Sequence, residues 1–312
     1  MSRLAFLFPG QGSQYVGMGK AFYEENALVR KTFEEADDIL DYHLSKIIFE
    51  GPVEELVKTK NTQPAILAYS VALARLLEGE GVVPDVVAGH SLGEYSALVC
   101  NGSLSYRDAL VTVRLRGELM YDVGLKRPGT MAAILGMTPS GVIKVCGEAS
   151  IEGIVEPANF NSPQQTVVSG EVRGVEKAME LARADGAKRA IRLDVSGAFH
   201  SSLMTEALSG LEKQLDEIRI SDAACPVVTN VSASGTQDRE EIRRCLKNQL
   251  IKPVMWQDSI QYIARAGVNR FVEVGPGKVL CRLLKKIDDS LAGAHVDGYE
   301  EMKDFLISQR KD

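Results

Sequence analysis

The chain has 312 residues, 45% of them hydrophobic and 25% charged, which is ordinary globular composition with enough apolar mass for a substantial core. Its 42 acidic against 36 basic residues give a net charge of -6, which excludes bulk attraction to nucleic acid or to an anionic membrane surface. Five scattered cysteines with no Cys-x-x-Cys pair exclude a disulfide framework and a structural zinc site, and read as free thiols in a reducing compartment.

In chain order, Arg3 followed by Leu4-Ala5-Phe6-Leu7-Phe8 is too short for a signal peptide and stops at Pro9-Gly10-Gln11-Gly12, so it reads as a first β-strand. No stretch approaches the ~20 apolar residues of a spanning helix, and a cytoplasmic protein without membrane contact is expected. Helix-spaced apolar residues follow at 28–40 and 64–80, the second with Pro64 suited to a first helical turn. A buried strand is expected at 82–88, then a helix from about Leu92 and another at Ser105, where Ser105-x-x-Asp108 is a capping-box pattern.

From 130 to 194 the pattern changes. A strand at 130–135, a helix opened by Pro139, strands near 151–156 and 165–169, a helix at 172–184 and a strand at 189–193 follow one another. That βαββαβ order is the ferredoxin-like arrangement, inserted within a larger α/β domain. The expected division is 1–127 with 196–312 for the large catalytic domain and 128–195 for the small one. The large domain resumes with a helix after His200, a strand at 227–231, helices near 240–250 and 259–266, and a strand at 270–274. The glycosylation patterns at Asn101 and Asn230 are chance matches in this setting.

Gly89-His90-Ser91-Leu92-Gly93 lies between an apolar strand and a helix, where a nucleophile on a sharp turn needs small neighbours. The free amides of the following helix then face a reacting carbonyl, so Leu92 N–H is the first candidate for an oxyanion hole. The loop after the first strand offers Gln11 N–H as the second. A phosphate cradle is the rival reading of that loop, but Tyr15 stands where a dinucleotide fingerprint needs its third glycine, and Met18 where a P-loop needs lysine.

Serine needs a base, and only four histidines are present. His43 and His295 lie in polar surroundings and read as surface residues, while His90 adjoins the serine and reads as shaping its turn. His200 sits where the insertion returns to the main domain and is the candidate base. Asp194 and Asp258 are conceivable orienting acids, although no motif singles out either. A backbone or amide carbonyl would serve equally, because the imidazole needs only an acceptor for its second nitrogen.

The blocks Phe8-Pro9-Gly10-Gln11-Gly12-Ser13-Gln14, Gly89-His90-Ser91-Leu92-Gly93-Glu94, Arg114-Leu115-Arg116-Gly117, Asn159-Phe160-Asn161-Ser162-Pro163, Gly197-Ala198-Phe199-His200, Gln249-x-x-x-Pro253-Val254 and Glu273-Val274-Gly275-Pro276-Gly277 follow in order along the chain. Together they resemble the malonyl-CoA:acyl carrier protein transacylases of fatty acid synthesis and the related acyltransferase domains of polyketide synthases. The resemblance implies an α/β-hydrolase-like domain with a ferredoxin-like subdomain. It implies Ser91 as nucleophile, His200 as base, Gln249 as the carbonyl that orients the histidine, and the amides of Gln11 and Leu92 as oxyanion donors. Arg116 falls where the family binds a malonyl carboxylate, a role that guanidinium suits because it grips a carboxylate through two parallel hydrogen bonds. Phe199 before the histidine and Leu92 after the serine accompany malonyl rather than methylmalonyl in the related domains.

The implied substrates are malonyl-CoA and an acyl carrier protein, with no metal and no bound cofactor. Lys188, Arg189, Arg192, Lys285 and Lys286 are candidates for docking an acidic carrier, against the plainer reading of solvated surface charge. A polyketide acyltransferase, a serine acyl hydrolase and a silent carrier-docking module are the alternatives. A chain that begins at Met1 favours fatty acid synthesis, and a monomer is expected.

Overall fold

The computed structural model describes residues 3–195 and 197–309. Ser196, where the sequence returns to the large domain, lies outside them. The strands are, in chain order, β1 (Arg3–Phe8), β2 (Val86–Gly89), β3 (Gly129–Leu135), β4 (Val155–Ser162), β5 (Gln165–Glu171), β6 (Arg189–Arg192), β7 (Val227–Val228), β8 (Gly235–Thr236), β9 (Val268–Val274) and β10 (Gly293–Val296).

One sheet has the order β10-β9-β1-β2-β7-β8 and is parallel except for the β7–β8 pair. Its centre is β1, where Leu4 to Phe8 are all buried, as a parallel strand covered on both faces requires. Side-chain alternation divides that strand between two cores. Phe6 and Phe8 join Phe33, Leu67 and Tyr69 on one side, while Ala5 and Leu7 join Trp256, Ile260 and Leu284 on the other.

The second sheet is antiparallel with the order β4-β5-β3-β6, and helices Pro139–Ala149 and Val172–Ala184 connect its strands in the βαββαβ sequence. Ala132, Ile134 and Val168 face those two helices, and Met131, Ala133 and Val167 face the larger core. Backbone bonds from Phe160 N to Val254 O (2.9 Å) and from Val254 N to Ala158 O (2.8 Å) stitch the small sheet to the large part. The expected class, an α/β-hydrolase-like part with a ferredoxin-like one, is the one observed. None of the described helices is long and apolar enough to cross a membrane.

Several boundaries differ from expectation for identifiable reasons. Pro64 lies in the second turn of helix Thr59–Gly79 rather than the first. The Lys60 carbonyl, which a proline cannot satisfy, accepts instead from Arg114 Nη1 at 3.2 Å. β4 begins near where a strand at 151–156 was expected to end. It runs on through Pro157 because it is an edge strand, and its register slips between Pro157 and Asn159. β2 is shorter than 82–88, and β7 keeps only two residues before the chain turns at Asn230. The helices Leu44–Glu50, Val279–Ile287 and Tyr299–Gln309, and β10, have no counterpart in the sequence reading.

Candidate active site

β2 ends at Gly89, helix Gly93–Cys100 begins four residues later, and Ser91 occupies the turn with φ 52°, a left-handed conformation that a side-chain-bearing residue adopts only under constraint. The flanking glycines are steric necessities. A Cβ on Gly89 would lie 1.9 Å from the Gly93 carbonyl carbon, and one on Gly93 would lie 2.1 Å from the Phe8 oxygen. Asn230 clamps the strained turn, accepting from Ser91 N at 2.7 Å through Oδ1 and donating to Gly89 O at 2.6 Å through Nδ2. His90 braces it from the side, 2.8 Å from Asn161 Oδ1 through Nε2 and with its ring 5.5 Å from that of Trp256.

His200 Nε2 lies 2.7 Å from Ser91 Oγ, and His200 Nδ1 lies 2.8 Å from the backbone oxygen of Gln249. The carbonyl can only accept, so Nδ1 carries the proton and Nε2 presents its lone pair to the serine hydroxyl. Burial, with Arg116 nearby, depresses the His200 pKa to about 3, so the imidazole is a neutral base at pH 7. Asp194 borders a neighbouring cleft and Asp258 sits in the first turn of helix Trp256–Arg265. The place behind the imidazole that an orienting acid would take is filled by the Gln249 carbonyl.

Arg116 comes from helix Tyr106–Lys126 and is 1% exposed. Its Nη1 donates to Gln63 Oε1 at 2.9 Å, and its Nη2 donates to Gln249 Oε1 at 3.0 Å and to Ser91 Oγ at 3.2 Å. Its Nε has no acceptor among the described residues. An unpaired N–H on a buried cation is costly, and the Nε–Nη2 edge is the one that a carboxylate would engage with two parallel bonds.

Gln11, Ser91, Leu92, Arg116, Phe199 and His200 line one cleft of about 110 Å³. Gln249 is hydrogen-bonded to three of them, Arg116, His200 and Ser91. Among the described residues, neither Gln11 N–H nor Leu92 N–H donates to a protein acceptor, which leaves both amides free for an oxyanion. A separate cavity of about 500 Å³ beside Arg75 and Tyr106 shares no residue with this cleft. Of the docking candidates, Arg192 pairs with Glu176 at 3.2 Å and Lys286 reaches Gln165 Oε1 at 3.4 Å. His43 is exposed and His295 half-buried in β10.

A serine hydrogen-bonded to a neutral histidine, on the turn between a central parallel strand and a helix, defines an α/β enzyme of the serine acyl-transfer class. The chain belongs to the acyl transferase domain family, whose model matches residues 5–304. It is 49% identical over 292 residues to the malonyl CoA-acyl carrier protein transacylase of Bacillus subtilis (strain 168), covering 93% of this chain and 92% of that one. It is 44% identical over 295 residues to the protein of that name from Escherichia coli (strain K12), covering 94% and 96%. Its structure is similar to an acyl-carrier-protein S-malonyltransferase from Burkholderia pseudomallei 1710b, with TM-score 0.94 and 44% identity over 98% of this chain and 99% of that one. A malonyl-transacylase in complex with its type II polyketide acyl-carrier protein superimposes with TM-score 0.95 at 41% identity, covering 98% and 100%.

Proposed function

We propose that this chain transfers a malonyl group from malonyl-CoA to the phosphopantetheine thiol of an acyl carrier protein through an ester on Ser91. The observation that carries the reading is the convergence on one oxygen: Ser91 Oγ is 2.7 Å from the neutral base His200 and 3.2 Å from the buried guanidinium of Arg116. His200 takes the serine proton as Oγ attacks the thioester carbonyl, and the amides of Gln11 and Leu92 hold the oxyanion. Collapse breaks the C–S bond, and His200 returns the proton to the departing coenzyme A thiolate. In the second half the carrier's thiol loses its proton to His200 and attacks the malonyl ester, restoring Ser91–OH.

Arg116 binds the free carboxylate, and Phe199 fills the space that a methyl branch would need. The reaction requires no metal and no bound cofactor. The relatives named as malonyl transacylases support this reading, as does the similar malonyl-transacylase seen in complex with its acyl-carrier protein. A division at 1–127 with 196–312 and 128–195, a monomeric state and a cytoplasmic setting complete the proposal; the separate sheets support the first.

Intact-protein mass spectrometry tests it. Mixing with malonyl-CoA adds one malonyl mass to the wild type and none to Ser91→Ala; a folded wild type that gains no mass refutes the proposal.

A further inference from the structure

Glu94 takes no part in the chemistry above, yet it is 1% exposed and lies directly under the nucleophile turn in the first turn of helix Gly93–Cys100. A buried carboxylate persists only where it is well bonded or balanced by charge. Its Oε2 accepts from the Asn230 backbone N at 3.0 Å and from Gln249 Nε2 at 2.9 Å. Those two partners are the residues that hold the site together. Asn230 clamps the turn at Ser91 and Gly89. Gln249 supplies the carbonyl to His200 through its backbone, while its carboxamide donates to Ser91 O at 3.0 Å and accepts from Arg116 Nη2 at 3.0 Å.

The chemistry of the carboxamide makes this arrangement directional. Glu94 Oε2, which also accepts from the Asn230 amide, acts here as an acceptor and a guanidinium only donates, so Gln249 must turn its NH2 to Glu94 and its oxygen to Arg116. Reversing the amide would set oxygen against oxygen on one side and N–H against N–H on the other. Gln249 therefore bridges the Glu94 carboxyl group and the Arg116 guanidinium through its carboxamide.

We infer that Glu94 is a positioning residue: by locking the Gln249 carboxamide and the Asn230 backbone it sets the guanidinium of Arg116 and the His200 imidazole against Ser91. The consequence for malonyl selectivity rests on the functional reading above; the consequence for serine reactivity does not.

Two readouts on the full chain separate them. The first is the rate at which a fluorophosphonate labels Ser91, and the second is the ratio of malonyl to acetyl loading. Losing a buried acceptor slows labelling in Glu94→Ala about tenfold or more and lowers the malonyl-to-acetyl ratio. Glu94→Gln, whose single oxygen still accepts from both donors, stays within about threefold in labelling. Gln249→Ala keeps the backbone carbonyl but cuts the bridge, so it shows the same loss of ratio, and adding Glu94→Ala to it lowers the ratio no further; a further fall would overturn the inference. A folded Glu94→Ala with wild-type labelling and ratio overturns the inference. Should that variant not fold, wild-type behaviour of Gln249→Ala overturns it instead. Failure of the wild type to accept malonyl would count against the functional reading alone, because labelling needs no malonyl.

Discussion

Arg116→Ala separates carboxylate binding from general reactivity. In the proposed role, the guanidinium would offer a malonyl carboxylate its Nε, which has no acceptor among the described residues, and the Nη2 that otherwise reaches Ser91 Oγ. Two hydrogen bonds to a charged partner at about 1.5–3 kcal/mol each amount to about 3–6 kcal/mol, or roughly 10²- to 10⁴-fold in kcat/KM for malonyl transfer. Acetyl has no carboxylate to lose, and wild-type Arg116 is left buried without an anion when acetyl occupies the cleft. Because Arg116 also touches Ser91 and Gln249, absolute rates fall for both substrates, and the ratio carries the information. The assay is kcat/KM for malonyl-CoA and acetyl-CoA with one carrier protein, alongside circular dichroism to establish folding. The account expects the malonyl-to-acetyl ratio to fall at least about a hundredfold. An equal loss for both substrates in a folded variant refutes the carboxylate role.

His200 is held neutral with a pKa near about 3, so its ring-proton NMR resonance should not titrate between about pH 5 and 8; a midpoint near the ordinary histidine value would contradict its buried, carbonyl-bonded state. Burial raises the Glu94 pKa from 4.5 to about 7, so the folded state holds a proton that the unfolded chain has released across that window, and this group's contribution to stability is lost as pH rises through it. Glu94→Gln removes that loss, so its urea-unfolding free energy relative to wild type should increase from pH 4.5 to 7, by on the order of 3 kcal/mol; a flat difference would contradict the shift. Gly93→Ala, whose Cβ would meet the Phe8 oxygen at 2.1 Å, should yield little folded protein on expression, whereas Gly147→Ala, with nothing within 4 Å, should gain about 0.5–1 kcal/mol in thermal unfolding.

The nucleophile turn was legible because its chemistry is local: two glycines, a serine and a preceding apolar run lie within a few residues. The βαββαβ order was legible for the same reason, since each element carries its own periodicity. Contacts between distant segments leave no such local pattern, and Arg116 and Gln249 were reachable only through the family resemblance. Asn230 carries only a chance glycosylation pattern in the sequence, and 139 residues separate it from the Ser91 amide it holds. Gln63 and the positioning role of Glu94 carry no local signature either, because their partners Arg116, Gln249 and Asn230 come within reach only after folding. No orienting acid could be singled out because the group behind His200 is a main-chain carbonyl, which every residue possesses. Pro64 misled in the opposite direction: its first-turn preference is sound, but Arg114 supplies the donor that lets a helix continue through it.

Malonyl held on Ser91 should go to a carrier thiol rather than to water. This is tested most directly by isolating the malonyl-enzyme, adding holo acyl carrier protein, and following both masses with time. The account predicts that the carrier gains the malonyl mass as the enzyme loses it, and that without carrier the ester persists far longer. Release of free malonate with the carrier left unmodified would make the protein a hydrolase and contradict the account.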